Sequence, residues 1–179
     1  MKRLGAILAG GRASRFGSDK AAAIVRGRPL IELVADGLRN QVDSVIVCGR
    51  DWPAINSIDD RPSADLGPLG GLNAALHYAQ QHGFAEVVTA GCDVLPVPEF
   101  PRKLPDGMAV YVDRHYLFGI WPVTLAETLD WHVREQKNYS MRHWIATIGA
   151  HVLNFDCDFH NLNTPEDVAN YTAQTGMLM

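Results

Sequence analysis

The run Leu4-Gly5-Ala6-Ile7-Leu8-Ala9, followed at once by Gly10-Gly11, constrains this chain more than any other feature. Six successive positions without a polar alternation suit a strand covered on both faces. A strand of that kind needs helices on either side of its sheet, so the segment predicts a parallel or mostly parallel sheet in a single three-layer, Rossmann-like α/β domain. The glycine pair ends the strand and lets the backbone approach a ligand closely.

The same rhythm continues downstream. Leu30, Leu33, Val34 and Leu38 fall at helical spacing over 29–41, with Pro29 suited to the first turn. Strands are expected at 43–48, near 55–58 and at 86–90, and a helix over 69–81 that Gly83 stops. Residues 96–105 are rich in proline and read as irregular, apart from a possible helical turn. Strands follow at 108–112 and 116–121, as a hairpin or as neighbours, then helices at 123–135 and 141–148 and a strand at 151–155. Thr164-Pro165-Glu166-Asp167 opens a last helix, with a Thr cap, Pro at the first position and acids in the first turn.

A length of 179 residues, at about 150 per domain, allows one domain, and 47% hydrophobic residues supply its core. The formal charge of -4 lacks the broad positive field that sequence-independent nucleic-acid binding needs, yet allows a small anion held by local cations. No apolar run reaches the roughly 20 residues of a membrane span. The expectation is a soluble cytoplasmic protein with neither a nucleic-acid nor a membrane partner. Cys48, Cys92 and Cys157 lack CxxC spacing and read as small buried hydrophobes, and the seven histidines show no HExxH or HxE pattern for a metal.

Four segments carry chemistry. In Leu8-Ala9-Gly10-Gly11-Arg12-Ala13-Ser14-Arg15-Phe16-Gly17-Ser18-Asp19-Lys20, a buried strand feeds glycines and then Arg12, Arg15 and Lys20, which makes either a phosphate cradle or a plain surface loop. It matches neither the P-loop nor the dinucleotide fingerprint. Gly67-Pro68-Leu69-Gly70-Gly71 opens a helix, where glycines serve ligand approach or tight packing. Asp93, at the end of an apolar strand, is either a Mg²⁺ ligand or a turn cap. Asn161 and Asn163 stand two apart on an extended segment and could bond a heterocycle together.

The first string resembles the LAGGxSxRFGxDK signature of nucleotidyltransferases that charge sugars and cofactors with a nucleotide. Gly67–Gly71 resembles the GPLAG segment of the molybdenum cofactor guanylyltransferases, the MobA family. Gly91-Cys92-Asp93 resembles that family's metal motif, with Val94 where Thr or Met is common, and 161–167 resembles its NxNTPEDL ending. The resemblance runs from Leu4 to about Ala169, with the four motifs in the family's order. It implies transfer of GMP from GTP to molybdopterin with Mg²⁺, forming molybdopterin guanine dinucleotide and pyrophosphate. By the same resemblance Arg15, Lys20 and Asp93 are catalytic, Asp93 holds the metal, and Leu8, Ala9, Gly10, Gly11, Lys20, Asp60 and Asp93 bind the nucleotide, with Asp59 a rival to Asp60. His115, Arg142, Asn161 and Asn163 fall on the acceptor side, and transient contact with molybdoenzymes or their chaperones is implied. Residues to about 100 would form the nucleotide side of the domain and about 101–179 the acceptor side.

The chain departs from the family pattern at three places: Tyr116 follows His115 where proline is usual, Arg142 stands alone where a glycine and paired arginines are usual, and Cys48-Gly49-Arg50 lacks an asparagine. These imply an altered acceptor site, and His115 reads equally as a packing histidine. The departures keep other readings open: a transferase using CTP or a sugar-phosphate acceptor, and a non-catalytic nucleotide-binding paralogue.

Overall fold

The computed structural model describes residues 1–10, 20–64 and 66–176. Strand β1 (Arg3–Leu8) is buried at every residue. After a 3-10 turn at Lys20–Ala22 come β2 (Ile24–Val25), β3 (Arg28–Pro29), α1 (Leu30–Arg39), β4 (Ser44–Cys48), β5 (Asn56–Ile58) and α2 (Pro68–Gln81). Then follow β6 (Glu86–Gly91), β7 (Val94–Leu95), β8 (Val110–Val112), β9 (His115–Pro122), α3 (Ala126–Glu135), α4 (Met141–Ile148), β10 (His151–Leu153), β11 (His160–Asn161) and α5 (Pro165–Gly176).

Seven strands form one sheet in the order β10-β8-β9-β6-β1-β4-β5. All run parallel except β9, which is antiparallel to both β6 and β8. The expected mostly parallel α/β architecture is therefore present, and the segments after residue 108 form a hairpin.

The apolar run of β1 has a direct cause. Leu4, Ala6 and Leu8 join the core layer that holds Leu69, Leu72 and Leu76 of α2, Leu129 of α3 and Trp144 of α4. Ile7 and Ala9 join the opposite layer with Leu30, Ile31, Val34 and Leu38 of α1. Side chains alternate across a strand, so a strand between two helical layers must be apolar at both parities.

Local expectations fail where tertiary pairing decides. Pro29 is extended (φ -57°, ψ 138°) and precedes α1 as its N-cap, because it pairs with Ile24 in the β2–β3 hairpin. Residues 123–125 form a 3-10 turn ahead of α3, and the strand after α4 stops at Leu153. Helix α4 matches its expected limits, with the Ser140 hydroxyl accepting from the His143 N–H at 3.2 Å and Gly149 in the left-handed region at φ 63°. Cys48 is buried and Cys92 partly so, but Cys157 is exposed: it lies in an irregular surface segment, and no core position is offered to it. Among the described residues, no helix is long and apolar enough to cross a membrane.

At the N-terminal edge of the sheet, Arg3 Nε donates to Glu86 at 2.8 Å, with both side chains under a tenth exposed, and Arg3 Nη1 donates to the Pro101 carbonyl at 2.8 Å. The opposite edge is the one that gathers the chemistry.

Candidate active site

The register of the sheet decides which residues meet. Leu8 pairs with Cys48 on one side and Gly91 on the other, and Cys48 pairs with Ile58. The residues following these four therefore leave the sheet at one level, on its C-terminal edge, where an open α/β sheet offers a crevice. They include Ala9-Gly10, Gly49-Arg50, Asp59-Asp60 and Cys92-Asp93.

Lys20 ties this edge together. Its ammonium donates to Asp93 Oδ2 at 3.1 Å and to Asn163 Oδ1 at 2.5 Å, side chains 73 and 143 residues away in sequence. Asp93 folds back over Gly91, where a Cβ would lie 2.8 Å from Oδ1. That Oδ1 is buried and has no hydrogen-bond partner among the described residues. A hard carboxylate oxygen left open in this way suits Mg²⁺, which takes one or two carboxylates and completes its shell with phosphates and water. Among the described residues, no group of three or more His, Cys, Asp or Glu is arranged to hold a metal ion by itself.

Asp60 sits on the same edge, among glycines. A Cβ at Gly10 would lie 2.6 Å from Asp60 Oδ2, and one at Gly49 only 2.7 Å from Oδ1 and 2.6 Å from the Gly10 Cα. Gly70 and Gly71, in the first turn of α2, close the other side. Gly67 precedes the helix at φ 55° and Pro68 begins it, so the second motif supplies a glycine-lined helix start against the carboxylate. Burial pushes the Asp60 carboxyl above the usual carboxylate range, with the Asp59 charge adding to it. Asp59 itself is exposed, so Asp60 is the one that faces the cradle. Leu8 and Ala9 are buried behind the cradle. Gly11 and Arg15 lie outside the described residues.

On the other side of Asp93 opens a cavity of about 430 Å³. His115 and Arg142 line it, as does Asn161, all three expected on the acceptor side from sequence. Asn163 does not line it; the residue is engaged by Lys20 instead. Asn161 is placed by a two-residue ladder between β11 and β7, completed by the Leu162 N–H donating to the Asp93 carbonyl at 2.7 Å. Asn163 is held by the cap of α5: Thr164 Oγ1 accepts from the Asp167 N–H, while Asp167 Oδ2 accepts from the N–H groups of Asn163 and Thr164. The Thr164 hydroxyl, with those two N–H groups and Lys20 in support, holds the Asp167 carboxyl below its usual range.

His115 leans away from the cavity mouth toward Phe159 and Phe118, with ring centroids 4.7 and 6.3 Å distant, and burial holds its pKa below the ordinary imidazole value. Tyr116, which the sequence marked only as a departure from the family pattern, lines the cavity as well, and so do Leu117 and Met141, which read there as ordinary strand and helix residues. Neither Cys48 nor Cys92 offers a nucleophile: burial raises the Cys48 thiol, and pushes Cys92 up to about 11.

Residues 5–149 match the profile of the MobA-like NTP transferase domain. The chain is 35% identical to the molybdenum cofactor guanylyltransferase of Rhizobium leguminosarum bv. trifolii (strain WSM2304), over 92% of this chain and 89% of that protein. In fold it resembles molybdopterin-guanine dinucleotide biosynthesis protein A of Archaeoglobus fulgidus, with a TM-score of 0.67 at 18% identity over 98% and 99% of the two chains. A CMP:2-keto-3-deoxy-manno-octonic acid synthetase complexed with CTP shares the architecture at a TM-score of 0.74 and 12% identity, each chain covered in full at 100%.

Proposed function

The chain belongs to the MobA-like NTP transferase family, and on that premise we propose that it transfers GMP from GTP to molybdopterin. The observation that carries the reading is the convergence of Lys20, Asp93 and Asn163, from three separate motifs, between a glycine-lined carboxylate on one side and a cavity on the other. Residues to about 100 supply the nucleotide side and residues 101–179 most of the acceptor side.

In the reaction a phosphate oxygen of the acceptor bonds to the α-phosphorus of GTP, the bond from that phosphorus to the β-bridging oxygen breaks, and pyrophosphate leaves. The attacking phosphate is already ionised at neutral pH, so the chain needs no general base. Catalysis rests on in-line positioning and on neutralising charge. Lys20 exchanges its contacts with Asp93 and Asn163 for phosphate oxygens and meets the charge that develops on the leaving group. Arg15 is assigned a second phosphate contact. Asp93 is assigned to hold Mg²⁺, which would neutralise phosphate charge when bound. Asp60 accepts from donors of the guanine or ribose, with the backbone of Leu8, Ala9, Gly10 and Gly11 alongside. His115, Arg142, Asn161 and Asn163 receive the acceptor. The product then passes to molybdoenzymes or their chaperones by transient contact. A cytoplasmic location fits three cysteines that are all free thiols.

The test offers labelled GTP, CTP and ATP separately with Mg²⁺ and molybdopterin. Label should reach molybdopterin from GTP, and Lys20→Ala and Asp93→Ala should each lower turnover by about 10²-fold, the scale of losing one preorganised electrostatic group. Transfer from CTP alone, or near wild-type turnover in both variants, overturns the assignment.

A further inference from the structure

The acceptor cavity contains an aromatic side chain that the sheet has turned out of its expected direction. Along β9, Leu117 and Trp121 pack with the α2–α4 layer, while Phe118 and Ile120 pack with the α1 layer, as strand alternation requires. Tyr116 should follow Phe118. It packs with Leu117 instead, beside Tyr111 at 5.9 Å between ring centroids. The cause is next to it: the β8–β9 register shifts between Tyr111 and Val112, and such irregularities re-aim a side chain near a site.

The result is a half-buried phenol ring on the cavity wall, backed by Tyr111. The other aromatic groups of the cavity are differently committed. Phe118 is 1% exposed, and the His115 ring lies tilted against Phe118 and Phe159, which belong to the opposite layer. Asn161 and Arg142 stand on the same cavity, so polar groups able to bond the edge of a heterocycle and the charge of a phosphate accompany the Tyr116 ring.

We propose that Tyr116 is a specificity-determining residue for the acceptor, offering the ring face on which the planar pyrimidinone ring of the pterin stacks. This rests on the acceptor being molybdopterin. Stacking on an aromatic side chain is strong enough to move an acceptor KM by about tenfold.

The test compares wild type with Tyr116→Leu, which keeps apolar bulk but loses the ring face, and Tyr116→Phe, which restores the face without the hydroxyl. Tyr116→Met serves as a second variant should Tyr116→Leu fold poorly. Steady-state kinetics with GTP, Mg²⁺ and molybdopterin are paired with fluorescence titration of 6-hydroxymethylpterin, which needs no turnover. Tyr116→Leu should raise the molybdopterin KM about tenfold, leave the GTP KM within about twofold and weaken pterin binding in parallel, and Tyr116→Phe should stay near wild type. An unchanged molybdopterin KM in Tyr116→Leu, or an equal rise in the GTP KM, overturns the proposal. Wild-type enzyme that transfers nothing to molybdopterin overturns the functional reading itself, and the pterin titration then decides separately whether Tyr116 binds the heterocycle.

Discussion

Asp60 is surrounded by glycines because any Cβ would occupy the space its carboxylate fills, and its Oδ1 lies buried with no hydrogen-bond partner among the described residues. A carboxylate kept in this state suits a ligand that brings its own donors. Its pKa is raised, so the folded protein holds the proton more tightly than the unfolded chain, and ionisation at neutral pH works against folding. Asp60→Asn should therefore raise Tm at pH 7 while weakening GTP binding. The gain in Tm should shrink as pH falls through the raised pKa of Asp60 and vanish below the ordinary carboxylate range. Thermal melts across pH, set beside GTP titrations, check both signs; a lower Tm at pH 7 would remove burial as the cause. The sequence named Asp60 and Asp59 together, since adjacent positions in an irregular segment carry no periodic signal. The exposure of Asp59 and the seating of Gly10, Gly49 and Gly70 against Asp60 separate the pair.

The strands and helices that form one face to a layer were legible because their side chains repeat at 2 or 3.6 residues. Helix α4 follows that rule closely, while β4, with Ile46, Val47 and Cys48 all buried, was legible as a continuous apolar run. The β2–β3 and β7–β11 ladders were not, being two residues long with no room for a repeat, and the second joins segments far apart in the chain. The β7–β11 ladder nevertheless sets Asn161 beside the Asp93 segment, so an element invisible in the sequence positions residues that were visible. Arg3 is a second example. The sequence reading began the strand at Leu4 and left Arg3 aside, yet Arg3 links β1 to Glu86 of β6 and to the Pro101 carbonyl. Arg3→Met should cost about 3–5 kcal/mol, because it leaves the Glu86 carboxylate buried and unpaired. Chemical denaturation measures this, and the GTP KM of the folded variant should be unchanged, since the pair lies at the far edge of the sheet from Asp93.

At the scale of the whole molecule, a net charge of -4 is compatible with an anionic ligand because the local charge decides, and Lys20 stands at the site beside Asp93. Ligand affinity should then appear as global stability. At 100 times Kd a nucleotide adds about 2.7 kcal/mol, a rise in Tm of roughly 5–10 °C for a domain of this size. GTP with Mg²⁺ should produce that rise and CTP or ATP a smaller one; equal shifts for all three bases would show that Asp60 and its cradle do not select guanine.

Strand β9 gives the molecule a division of labour. Because it alone runs against its neighbours, its first residues emerge at the edge where the parallel strands end, so His115 and Tyr116 meet Asp93 from the other direction. The 113–116 turn thus joins the crevice from the opposite end of its strand, and Asp93 stands between it and the glycine-lined side. Replacing the 113–116 turn could redirect the chain to a new phosphate acceptor while the machinery that activates the nucleotide stays as it is, making this short turn a natural point of divergence and a practical one for redesign.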